Sequence, residues 1–84
     1  PNPFNPSTKI SFSIPFLQGS SSGERTFLKV YDILGKEIVV LVNENLNPGT
    51  YEVTFDASGL TSGVYFYTLN TNFVSITKSM LLLK

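Results

Sequence analysis

The sequence has no cysteine, no histidine and no tryptophan, and only 14% of its 84 residues are charged. Each absence closes a class of chemistry. Without Cys or His there is no Cys/His zinc site, no Ser-His-Asp triad, no Cys-His dyad and no haem ligation by either residue. Without Cys there are no disulfides, so a secreted product must hold together by packing alone. Six basic residues balance six acidic ones, and a net charge of zero gives no basic footprint for nucleic acid or an anionic membrane. The longest apolar runs, Ile38 to Val42 and Met80 to Leu83, fall well short of the ~18 residues of a membrane-crossing helix. No secretory leader is visible, and the start at Pro1 suggests a piece cut from a longer protein.

What is present is 42% hydrophobic residues, including seven Phe and four Tyr, enough for one small core. The pattern is all-β. Three prolines in Pro1 to Pro6 remove three donors and exclude helix and central strand, so residues 1–7 read as a leader and 8–84 as the folded unit. Thr8 to Ile14 alternates, with Ile10, Phe12 and Ile14 on one face, until Pro15 ends it. Gln18 to Gly23 reads as a loop. Arg25 to Tyr31 is a second strand, with Leu28 and Val30 inward and Phe27 and Tyr31 opposite. Asp32 to Gly35 fits a type I turn closed by a glycine bulge. Glu37 to Asn43 is apolar on both faces, so it is expected to be central or covered. Asn45 to Gly49 turns the chain. Thr50 to Asp56 puts Tyr51, Val53 and Phe55 inward. After a Ser58 to Gly63 loop, Val64 to Thr71 has faces Val64/Phe66 and Tyr65/Tyr67/Leu69.

The last strand spans Phe73 to Leu83. Val74, Ile76, Met80 and also Lys78 share one parity there, which predicts a bulge or an edge nearby. Six strands of about 5–9 residues between turn signals predict a small antiparallel sandwich, with a barrel as the alternative. No internal repeat is evident.

Catalytic pairs are lacking. Glu52 and Asp56 share a strand face but sit about 13 Å apart, outside either glycosidase geometry. Glycines 59 and 63 do not form a phosphate loop. Asn43, Glu44, Asn45 and Asn47 offer oxygen ligands on one expected loop, without a calcium-loop spacing. The aromatics fill the core or form a sugar- or nucleobase-stacking face, and one of Tyr65 and Tyr67 is expected at the surface.

Five segments carry a resemblance. Pro1-Asn2-Pro3-Phe4 opens the chain. Leu28 to Ile38, with Tyr31-Asp32-Ile33-Leu34-Gly35-Lys36 at its centre, follows. Leu46-Asn47-Pro48-Gly49-Thr50-Tyr51 and Leu60-Thr61-Ser62-Gly63-Val64-Tyr65-Phe66-Tyr67 come next, and Lys78 to Lys84 closes the set with a basic residue at each end. In this order they resemble the type A C-terminal sorting domain of the type IX secretion system, across essentially the whole chain. The resemblance implies an immunoglobulin-like β-sandwich of six to seven short strands, without catalytic activity or cofactor. It implies a cargo joined upstream, which passes through the periplasm and is exported by an outer-membrane translocon. A sortase then attaches the cargo to the cell surface, or the cargo is released.

On this resemblance the candidate recognition residues are Pro1, Asn2, Pro3, Asp32, Gly35, Lys36, Gly49, Tyr51, Gly63, Tyr65, Lys78 and Lys84. The turn residues among them also have a purely structural reading. The proline leader suits a hinge between cargo and sorting domain. The final strand is either an edge open to strand addition or an inner strand. A different class of function is a structural or adhesive unit that self-associates through edge or terminal strands, and a third is sugar binding through exposed tyrosines.

Overall fold

The computed structural model describes residues 7–16 and 23–84, and Pro1, Asn2, Pro3 and most of the Gln18 to Gly23 loop lie outside them. The described residues form six strands: β1 (Ser7–Ile14), β2 (Glu24–Tyr31), β3 (Glu37–Leu46), β4 (Gly49–Asp56), β5 (Gly63–Asn70) and β6 (Ser75–Leu82). All ladders are antiparallel, β1-β4 in one sheet and β3-β2-β5-β6 in the other. The two sheets are separate, which decides for a sandwich over a barrel. In immunoglobulin lettering the small sheet takes positions B and E, and the large one takes C′, C, F and G.

The inward parities follow the alternation of the sequence. Ile10, Phe12 and Ile14 of β1, Leu28 and Val30 of β2, Phe55 of β4 and Leu69 of β5 are buried between the sheets. Phe12 stacks on Tyr51 across the β1-β4 ladder at 5.5 Å between centroids, one offset aromatic pair binding the small sheet. Thr26 is buried too, and its hydroxyl donates to the Glu24 carbonyl at 3.0 Å, so the polar atom enters the core already satisfied.

One expectation about strand position needs correction. β3 is not central: it is an edge strand, hydrogen-bonded only to β2 among the described residues. Its register against β2 slips twice, where Leu28/Lys29 oppose Val42/Val40 and where Val30/Tyr31 oppose Val39/Glu37. Leu41 and Ile38 are the extra residues, and each bulge exchanges the parities that face in and out. Val42 and Val39 thus both face the core although three residues apart, while Val40 lies between them at 39% exposure. A strand with bulges reads as apolar on both faces without being covered on both. β6 is also an edge among the described residues, the first of the two alternatives its sequence left open. It pairs with β5 without a slip, so the edge and not a bulge accounts for Lys78 sharing the parity of Ile76 and Met80.

Boundaries shift by a few residues elsewhere. β3 runs on to Leu46, which shortens the following turn, and β6 begins at Ser75 because Thr71 Oγ1 accepts from the amides of Phe73 and Val74 and holds them in the turn. Tyr65 is buried and Tyr67 half-buried, so neither stands at the surface as expected.

Candidate functional site

Antiparallel pairing decides which loops meet. Ser7 opposes Asp56, Tyr31 opposes Phe66, and Gly63 opposes Leu82. The start of β1, the β2–β3 turn, the β4–β5 loop and the C-terminal residues therefore share one end of the sandwich. The β3–β4 and β5–β6 turns lie at the other.

The β2–β3 turn is built from its own sequence. Asp32 Oδ1 accepts from the amides of Leu34 and Lys36, both at 2.9 Å. The Gly35 amide donates to the Asp32 carbonyl at 3.0 Å, and the Asp32 amide to the Lys36 carbonyl at 3.0 Å. Gly35 sits at φ 87, a left-handed conformation that a side chain resists. This is the expected type I turn with its glycine bulge. Its geometry forces Ile33 and Leu34 to the tip, where no core can reach them, and both are exposed.

Facing this turn is the β4–β5 loop, and a pocket of ≈ 360 Å³ opens between them, lined by Asp32, Ile33, Leu34, Gly63, Val64 and Tyr65 among others. Asp56 Oδ1 accepts from the Ser58 amide at 3.0 Å, and this bond holds the Asp56 carboxyl below its ordinary pKa. The chain's last residue is fastened to the same loop. The Lys84 amide donates to Ser62 Oγ at 3.0 Å, and Lys84 Nζ donates to the Ser58 carbonyl at 2.9 Å.

Two tyrosines repeat one device. Tyr65 Oη donates to the Thr61 carbonyl at 2.8 Å, and Tyr51 Oη donates to the Asn47 carbonyl at 2.6 Å. In each case the acceptor lies four residues earlier, and a glycine of φ near +153 lies between, Gly63 at 154 and Gly49 at 152. The segments are Leu60-Thr61-Ser62-Gly63-Val64-Tyr65 and Leu46-Asn47-Pro48-Gly49-Thr50-Tyr51. A short local repeat, Leu-x-x-Gly-x-Tyr, therefore does exist, contrary to the reading that found none. Tyr65 lies near the start of β5, the strand in the F position, where immunoglobulin-like sandwiches place a tyrosine corner. Tyr65→Phe is expected to cost about 1 kcal/mol, the net worth of one neutral hydrogen bond, with the fold retained. Urea unfolding followed by tyrosine fluorescence measures it, and an unchanged midpoint would remove the corner from the stabilising interactions.

The candidate residues divide accordingly. Asp32, Gly35, Lys36, Gly63, Tyr65 and Lys84 are gathered at one end. Gly49 and Tyr51 stand at the opposite end, and Lys78 lies midway along the β6 edge, opposite Tyr67. Periodicity missed the apolar residues exposed at the first end. Val64 and Leu81, directly paired on the outer face, and Leu83 beyond them join Ile33 and Leu34. The only signal in the sequence was the placement of Ile33 and Leu34 inside a tight turn.

Metal and sugar readings find little support in this geometry. Asn43, Glu44 and Asn45 lie on β3 and not on a loop, so neighbours point to opposite faces. Asn43 Oδ1 is already engaged by Arg25. All four tyrosines are buried or half-buried, and they offer no flat aromatic face among the described residues.

No curated protein and no solved structure matches the chain. The model of one family, described as the secretion system C-terminal sorting domain, matches residues 1–83. Covered from its first proline to the residue before its last lysine, the chain belongs to this family, the C-terminal sorting domains of type IX secretion.

Proposed function

We propose that this domain is the address by which a type IX translocon recognises and exports a cargo joined upstream of β1. A type IX sorting signal directs export across the outer membrane to the surface, and the domains of this family are not catalytic. On our reading the cargo passes the periplasm, and a sortase at the outer membrane attaches it to the cell surface or releases it. The match over residues 1–83 carries this reading.

The end of the sandwich that holds the Asp32–Lys36 turn, Gly63, Tyr65 and Lys84 is the face we assign to the translocon. It combines exposed apolar side chains with a lysine fixed in place, and the upstream chain enters beside it. Gly49 and Tyr51 act through the stability of the β3–β4 turn. Pro1, Asn2 and Pro3, which lie outside the described residues, are assigned the part of joining cargo to sorting domain. Fusing residues 1–84 behind a periplasmic reporter is expected to move the reporter to the surface or medium of a host that owns the system. The same fusion should stay periplasmic when the translocon gene is deleted. Retention in the intact host would refute the reading.

A further inference from the structure

We propose that the free edge of β6 is a docking site for an extended strand of a partner protein, one with alternating apolar side chains and a carboxylate placed opposite Lys78. Among the described residues the large sheet has four strands and the small one two, so the small sheet leaves part of the inner face of β6 uncovered by them. Between β1 and β6 runs a groove of ≈ 250 Å³ lined by Ser11, Phe12, Ser13, Tyr67, Leu69, Ile76 and Lys78. Its floor is apolar and already in the core, yet Ile76 at its mouth remains 45% exposed. Along this mouth the backbone groups of β6 that point away from β5 have no strand partner among the described residues. The edge is straight, eight residues in unbroken register with β5 and without a proline. That is the form of edge that accepts another strand.

Lys78 decides what that strand is. It is the one charged residue on the inward parity of β6, it lines the groove, and it has no ion pair among the described residues. An inward-pointing charge on an edge is a common bar to self-pairing. A second copy aligned antiparallel along β6 with faces matched sets Lys78 against Lys78, or diagonal to it one register step away. Like charges there destabilise the pair. A strand with Glu or Asp at that position meets the opposite charge, while its neighbouring inward side chains cover Ile76 and Leu69. Of the outward side chains of β6, Ser75, Thr77 and Ser79 are polar and ask only for polar neighbours, while Leu81 at the far end sits opposite Val64 of β5. The same lysine thus excludes a copy of this chain and admits an acidic partner.

The identification of the partner with a component of the export machinery rests on the proposed function; the docking does not, and it is measured alone. The probes are two synthetic octapeptides of alternating Val and Thr, one with a central Glu in the Val row and one with Lys there. They are titrated into the isotopically labelled 84-residue chain and followed by amide shifts and amide protection. The Glu peptide is expected to perturb and protect Ser75 to Leu82, and to bind at least tenfold tighter than the Lys peptide. Lys78→Glu is expected to invert that order, and Lys78→Gln to level it. Lys78 is exposed, so both variants should keep the wild-type unfolding midpoint. No perturbation of β6 at millimolar peptide, perturbation confined to β1 or β3, or a preference unaffected by Lys78→Glu would each overturn the proposal. Reporter export by the intact domain, measured in parallel, separates the two readings. Export with neither peptide bound refutes strand docking alone. Lys78-dependent binding of the Glu peptide without export upholds docking and refutes the export reading.

Discussion

Phe55→Ala is expected to destabilise the domain by about 3–5 kcal/mol, a large part of what a chain of this size possesses. Phe55 is 2% exposed and lies on β4, in a sheet that has two strands among the described residues. That sheet has one ladder, so its hold on the rest of the molecule is the apolar surface it buries. Phe55 packs in the cluster formed with Leu28, Val30, Ile10 and Leu69. Its loss leaves a cavity that a small core cannot collapse to fill, and no disulfide limits the unfolded ensemble. At a urea slope of about 1–1.5 kcal/mol/M the midpoint should fall by roughly 2–5 M. Val40→Ala, on the outer side of the β3 edge, serves as the control and should cost below about 1 kcal/mol. A cost for Phe55→Ala no greater than for the control would show that the two sheets do not depend on each other as described.

Deleting Lys78 to Lys84 is expected to abolish export of a fused reporter. The deletion removes the second half of β6, including buried Leu82, and with it both bonds that fasten Lys84 to the β4–β5 loop. Gly63 to Tyr67 of β5 lose their ladder partners on that side. Two losses, of stability and of signal, are therefore combined in one truncation. Lys84→Ala separates them. It removes only exposed contacts, which are worth less than about 1 kcal/mol. If the tail is read directly, export falls at least tenfold in Lys84→Ala while the unfolding midpoint stays. Continued export by the truncated chain would take the signal out of the tail altogether.

The fold was largely legible because the inward strands obey a period of two. β1, β2 and β4 alternate without interruption, and their inward residues are the ones alternation selects. β3 was not legible. Its bulges at Leu41 and Ile38 reverse the parity twice, and nothing in Ile38-Val39-Val40-Leu41-Val42 marks where. Sheet membership was equally hidden, since β1 pairs with a strand from the other half of the chain and alternation carries no information about partners. At the candidate site the Asp32–Gly35 turn was readable from its own chemistry, one carboxylate capping two amides ahead of a left-handed glycine. The gathering of Asp32, Gly63 and Lys84 at one end was not, because only the strand directions bring them together. The tyrosine corner escaped alternation for another reason: the hydroxyl reaches back across a glycine, and its partner is a main-chain carbonyl that no side-chain pattern records.

The pairing of β1 with β4 also has a kinetic consequence. The β2–β3 and β5–β6 hairpins join neighbours in sequence and can zip within microseconds, whereas the small sheet must close a loop that contains β2 and β3. It should be the last part to assemble and the first to open. The first strand, β1, is therefore the one tethered most slowly during refolding.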